Sequence, residues 1–243
     1  MLLGEFVLLG LLAGLLLYLG VQRRGAKLMT RFVAPQVVQL VRERGLRYAS
    51  KSRTREISAV YCDLRGYTSA CELNCSRKLI KMLSEYYAAV GAAAQAHGGT
   101  VKDHAGDGVL ILVGAPRSVD NHAARALQIA KSVRASGIDL SSRWATTGSL
   151  LGVGVGVASG RVAVGVIGAA DRLEYTAVGP AINLAARLCA RSAHGEILMD
   201  QCTKELLDAE TQQREVRLAQ PRRVKGIAQT AQIYEFADER SPA

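Results

Sequence analysis

Two aspartates and an asparagine–arginine pair stand out in this 243-residue chain as groups able to act together. Asp63 closes an apolar run (Ile57, Ala59, Val60) that reads as a buried strand, and Asp107 sits in the turn Ala105-Gly106-Asp107-Gly108. Two carboxylates at neighbouring strand ends can share a hard cation such as Mg2+ or Mn2+. Aspartate beside glycine is also an ordinary turn residue, so Asp107 taken alone has a purely structural reading. Asn183 and Arg187 lie four apart in a run whose apolar positions, Ile182, Leu184, Ala185 and Leu188, recur at helical spacing, so the two share one helix face. A planar guanidinium and an amide on a rigid helix suit an anionic, hydroxyl-bearing ligand such as a nucleotide. A solvated polar face is the plainer alternative.

The elements that must position these groups alternate between strand and helix. Residues 56–63 read as a strand, and Ser76 opens a long helix through Leu79, Leu83, Tyr86, Val90 and Ala94 that His97-Gly98-Gly99 closes. Residues 100–105 and 109–113 form a hairpin around the Asp107 turn. A helix over 120–135 follows, then an irregular loop through Gly148, a strand over 150–158, and a stretch over 160–167 that pairs back on it. Tyr175 to Val178 is a strand end, Gly179-Pro180 breaks it, and the Asn183/Arg187 helix begins at Ala181. A short strand over 196–199, a helix near 203–207, and a terminal hairpin pairing 215–224 with 231–236 complete the chain. The order β-α-β-β-α-β predicts an α+β, ferredoxin-like sheet with helices on one face.

Composition bounds the rest. Residues 2–21 are apolar apart from Glu5, long enough for a single transmembrane helix with Glu5 at the far interface. Positive charge follows this run rather than preceding it, which argues against a signal peptide and places the remainder on the cytoplasmic side of the plasma (inner) membrane. Gly10 and Gly14 are spaced for close packing of two such helices. The net charge of +10 comes mostly from residues 22–55, which hold ten basic residues against Glu43. That basic stretch lies next to the apolar segment, where anionic lipid would attract it, and contains a linker helix opened by Pro35. Aromatic residues make up only 5% and do not interleave with the basic ones, so nucleic-acid binding is excluded as a function. Five cysteines without zinc-type spacing fit a reducing compartment. The domain plan is therefore an anchor (2–21), a basic linker (22–55) and a globular domain (56–238).

Several separated motifs carry a family resemblance. They are Val60-Tyr-Cys-Asp-Leu-Arg-Gly-Tyr-Thr68, Gly98-Gly-Thr100 leading to Gly106-Asp107, Gly152-Val-Gly-Val-Gly156, Arg172 through Arg187, and Val224-Lys-Gly226. In this order they resemble the catalytic domain of class III adenylyl and guanylyl cyclases. The resemblance implies that Asp63, Asp107 and the Leu64 carbonyl hold two Mg2+ or Mn2+ ions per site, and that Gly66, Tyr67 and Thr68 meet the triphosphate. It implies that Arg187 stabilises the transition state, Asn183 orients the ribose and Lys225 binds phosphate. It further implies a homodimer in which Asp63 and Asp107 of one copy face Asn183 and Arg187 of the other, converting ATP to cyclic AMP and pyrophosphate. The glycine stripe 152/154/156 is explained equally by a ligand or by a closely packed helix.

One position departs from the pattern. Adenylyl cyclases usually carry a base-reading lysine four residues before the second metal aspartate, and that position here is Asp103, with Lys102 beside it. Strand alternation turns neighbouring side chains to opposite faces, so Lys102 is not expected to substitute. A carboxylate at Asp103 suits guanine, whose N1–H and 2-amino group donate, whereas Thr176 at the partner base-reading position is found in bacterial members that use ATP. Adenylyl, guanylyl or mixed activity and a weakly active or non-catalytic nucleotide-binding module therefore stay open.

Overall fold

The computed structural model describes residues 33–145, 151–169, 172–220 and 232–237. The expected transmembrane segment, the start of the basic stretch and Lys225 lie outside them. Among the described residues no helix is long and apolar enough to cross a membrane.

The linker forms helix α1 (Pro35–Arg44), opened by proline and closed at Gly45, then a short α2 (Leu46–Ala49). Helix α1 rests on its own domain: the Gln36 amide donates to the Gly99 carbonyl at 3.1 Å and Glu43 pairs with Arg117. Strand β1 (Arg53–Arg65) follows, then α3 (Tyr67–Leu73), α4 (Ser76–Ala96), β2 (Thr100–Ala105), β3 (Gly108–Val113) and α5 (His122–Trp144). The chain continues through β4 (Gly152–Ala169), β5 (Arg172–Val178), α6 (Pro180–Arg191), β6 (Ile197–Asp200), α7 (Gln201–Glu205), α8 (Ala209–Glu215), β7 (Val216–Leu218) and β8 (Ile233–Phe236). The described strands form one sheet in the order β2-β3-β1-β4-β6-β8-β7, with β5 attached to β4. The β2-β3-β1-β4 part is antiparallel throughout, as the ferredoxin-like order requires.

Helices do not all lie on one face. Helices α4 and α5 cover the face that carries Val60, Cys62, Val109, Ile111, Val153 and Val155, while α6 packs on the other, against Ile57, Ala59, Leu112, Val162 and Val164. The sequence holds the reason. Residues 57–60 are buried at four successive positions, so the middle of β1 is apolar on both sides and needs two covers. The glycine stripe supplies the second seat. A Cβ at Gly156 would stand 2.2 Å from the Ala185 carbonyl oxygen and 2.3 Å from the Cys189 amide, so the backbone of α6 lies directly on β4. A packed helix, rather than a ligand, accounts for this glycine.

Two expected boundaries also change. Residues 160–167 do not fold back on 150–158: Ala158, Ser159 and Gly160 stay paired with Ala59, Ser58 and Ile57, so β4 runs on without reversal and β5 makes the return. Helix α5 extends into the expected loop as far as Trp144, burying Val133, Gly137, Leu140 and Trp144 at helical spacing. Gly137 belongs inside it because a Cβ there would meet Val153 at 2.5 Å, and tertiary packing overrides glycine's weak helix propensity. Helices α3 and α8 were not expected from the sequence.

Candidate active site

Alternation along β1 places Ile57, Ala59, Tyr61 and Asp63 on the α6 side of the sheet, with Asp63 near the strand's end. Its neighbours in register are Gly108 on one side and Gly154 on the other. The turn that carries Asp107 needs Gly106 in a left-handed conformation (φ +64), and the Tyr87 hydroxyl donates to the Gly106 carbonyl and braces it. Gly108 leaves room for Tyr61, whose hydroxyl lies 2.6 Å from where a Cβ would stand. The two expected metal residues are thereby brought together.

The electrostatics fit a missing positive charge. Burial first, and then the Asp107 carboxylate beside it, push the Asp63 carboxyl up to about 6, although Arg65 and the Leu64 amide pull the other way. Arg65 donates to Asp63 Oδ2 at 3.1 Å. Two adjacent hard-oxygen carboxylates that one guanidinium fails to neutralise are a suitable donor set for Mg2+ or Mn2+. Among the described residues no group of three or more His, Cys, Asp or Glu side chains gathers, so further ligands would have to be main-chain oxygens, water or substrate. Leu64, expected to lend its carbonyl, buries its side chain in the core on the face of the sheet that α4 and α5 cover. Gly66 takes a left-handed φ of +75 at the junction of β1 and α3, with Tyr67 and Thr68 opening that helix.

Helix α6 buries Ala181, Ala185 and Leu188 and turns Asn183 and Arg187 outward to solvent. The charged groups that act most strongly on Asp63 are Asp107 and Arg65, not Arg187.

The base-reading positions are arranged differently from the sequence expectation. Thr176 lies half-buried on β5 opposite Gly165. Asp103 is exposed, its carboxylate 3.4 Å from the Lys102 ammonium. On β2, Val101 pairs with Ile111 and Asp103 with Leu110, which leaves Lys102 as the extra residue of a β-bulge. The alternation argument fails there. Lys102 is turned toward β5, its side chain only 13% exposed, and pairs with Glu174. Burial opposes its charge, but the Glu174 and Asp103 carboxylates more than offset this and raise its pKa. Beside the pair lies a cavity of about 110 Å3 lined by Val37, Thr100, Lys102, Leu112, Glu174 and Tyr175. Sequence reasoning gave the side chains of Glu174 and Arg65 no role, although both lie inside quoted motifs.

Residues 49–237 match the family described as the adenylate and guanylate cyclase catalytic domain. Among solved structures, the chain is similar to the adenylyl cyclase CyaB of P. aeruginosa, at 28% identity and a TM-score of 0.71 over 78% of this chain and 97% of that one. It is also similar to the guanylyl cyclase Cya2, at 30% identity and a TM-score of 0.68 over 76% and 93%. The terminal-differentiation-specific adenylate cyclase of Dictyostelium discoideum is 28% identical over 86% of this chain and 10% of its own length. The chain spans between about a tenth and a third of the curated relatives it matches.

Proposed function

Because the chain belongs to the adenylate and guanylate cyclase catalytic-domain family, we propose that it is a membrane-anchored nucleotidyl cyclase that converts ATP to 3′,5′-cyclic AMP and pyrophosphate, working as a homodimer in cyclic-nucleotide signalling. The observation that carries this reading is the Asp63–Asp107 carboxylate pair on the sheet face it shares with α6. Residues 2–21 would hold the chain in the plasma membrane with the catalytic domain on the cytoplasmic side.

The chemistry follows from the residues. When bound, two Mg2+ or Mn2+ ions would make the ribose 3′-hydroxyl more acidic and neutralise the triphosphate. Asp63, Asp107 and the Leu64 carbonyl are the groups that would hold them. The 3′-oxygen attacks the α-phosphorus in line, the bond to the bridging oxygen of pyrophosphate breaks, and the hydroxyl proton leaves to solvent. Gly66, Tyr67, Thr68 and Lys225 steady the triphosphate, with Lys225 outside the described residues. Arg187 of the second copy neutralises charge growing on the α-phosphate oxygens, and Asn183 of the second copy orients the ribose. The outward exposure of both supports their use by a second copy.

For the base, the bulge supports an ATP reading, because it turns the Lys102 ammonium into a pocket on the strand that carries Thr176, where adenine N1 accepts a hydrogen bond. A guanylyl or mixed reading is favoured by Asp103, whose exposed carboxylate suits guanine N1–H. The test is purified full-length protein in detergent with Mn2+ and either ATP or GTP, each cyclic product being quantified. Higher kcat/KM for ATP supports the first reading, higher kcat/KM for GTP the second. Neither cyclic product, at protein concentrations where a dimer is present, overturns both.

A further inference from the structure

The Arg65 guanidinium occupies a slot that the fold builds for it. One terminal nitrogen donates to Asp63 Oδ2 at 3.1 Å; the other donates to the Cys189 carbonyl and lies 3.4 Å from Ser192 Oγ. Cys189 is in the last turn of α6, and Ser192 is the residue that caps it. The Ser192 hydroxyl also donates to the Cys189 carbonyl, at 2.7 Å, so a cation and a hydroxyl converge on one helix-end oxygen. Gly154 makes the room: a Cβ there would lie 2.3 Å from Ser192 Oγ, 2.6 Å from Arg65 Nη2 and 2.7 Å from Arg65 Nε. The Arg65 Nε itself is buried and unpartnered, so the fork is placed for its two ends rather than for its stem.

We propose that Arg65 is a positioning residue, a strut that ties the metal-binding carboxylate Asp63 to the C-terminal end of α6 in the same chain. This rests on the cyclase reading above and deepens it. In that dimer Asp63 serves one active site while the α6 of the same chain lends Asn183 and Arg187 to the other. The strut then links cation capture in one site to helix placement in its neighbour. The link has a definite sign. A divalent cation would be held by the same carboxylate that the guanidinium pairs with, so it would be captured against a like charge, while the carbonyl of Cys189 keeps its donor.

The test uses full-length protein in detergent and begins without nucleotide, following free Mn2+ by electron paramagnetic resonance. Arg65→Met is expected to bind Mn2+ about tenfold more tightly, the order expected when a unit positive charge beside a carboxylate is removed. It is also expected to lose about tenfold in kcat because α6 loses a fixed end, and to exchange the amides of the last α6 turn faster. Tighter metal with slower turnover is a split that partial unfolding does not give. Arg65→Lys, which keeps the charge but cannot fork to both ends, should hold Mn2+ near the wild-type affinity and still turn over slowly. Mn2+ affinity unchanged within about twofold in Arg65→Met overturns the strut, as does a kcat loss no larger than the loss of folded protein. If the wild-type protein makes no cyclic nucleotide, the cyclase reading fails, while the Mn2+ and amide-exchange comparisons still decide the strut.

Discussion

Lys102 of β2 and Glu174 of β5 form an ion pair between strands that are not neighbours in the sheet. It closes one side of the cavity that α1 also borders, and it exists because a bulge displaces Lys102 from the strand's alternation. The ammonium is largely buried and already charge-paired, which makes it a fixed hydrogen-bond donor rather than a solvated one.

Lys102→Ala should therefore lower kcat/KM for the preferred nucleotide by roughly ten- to a hundredfold, mostly through KM, the range for a lost charged hydrogen bond. Asp103→Ala should change it less than about threefold, as an exposed pair is worth little. Asp103→Lys should not rescue ATP use, because the bulge already supplies the ammonium. Steady-state kinetics with ATP and GTP on the three variants check this, and a large gain from Asp103→Lys would return the base-reading role to position 103.

Asp63 sets a pH dependence whose sign is opposite to that of an ordinary ion-paired carboxylate. Its folded pKa, about 6, stands above the unfolded value near 3.8, owing first to burial and then to Asp107. The metal-free fold is thus favoured by the protonated form. That contribution is complete below the unfolded pKa and is lost as pH rises through about 6, amounting to at most about 3 kcal/mol. Relative to Asp63→Asn, the wild-type protein should gain stability as pH falls from 7 to 4 in EDTA. Mn2+ affinity, which needs the carboxylate, should weaken below pH about 6. Thermal melts and Mn2+ titrations across this range check both halves.

Gly156→Ala places a methyl carbon against the α6 backbone, which cannot step aside as a flexible side chain could. A loss of about 2–4 kcal/mol in stability is expected, at the upper end for overpacking. Gly106→Ala meets no atoms within 4 Å and carries only the cost of its left-handed φ, about 1 kcal/mol. Urea unfolding of both variants separates the two causes.

Complementation tests the shared site. Asp63→Ala and Arg187→Ala should each abolish activity alone. Co-expressed, they should restore about a quarter of the wild-type level, since half the dimers are mixed and each mixed dimer has one intact site. No recovery in a preparation shown to contain mixed dimers would place all four groups in one chain.

Much of this was legible in the sequence. The pairing of Asp63 with Asp107 could be read because both residues end elements whose pattern is local, a strand and a glycine turn. Asn183 and Arg187 could be read because a four-residue spacing fixes a helix face. What could not be read was non-local. The bulge at Lys102 has no local signature and depends on how β2 meets β3 and β5. The helix expected to stop at residue 135 runs on through Gly137 because that glycine packs against Val153 on a distant strand. The second helical layer was hidden because a strand buried on both faces reads only as apolar. Its clue, three alternating glycines, stayed ambiguous until α6 was seen lying on them.

Strand β1 has its own geometric consequence. The linker joins it at Arg53, whose guanidinium sits 3.5 Å from the centre of the Tyr48 ring, while Asp63 lies ten residues further along the same extended segment. At about 3.3 Å per residue this sets the chain's entry point and the carboxylates roughly 33 Å apart. Strand β1 thus carries the carboxylates to the end opposite its junction with the linker, where nucleotide can diffuse in from the bulk.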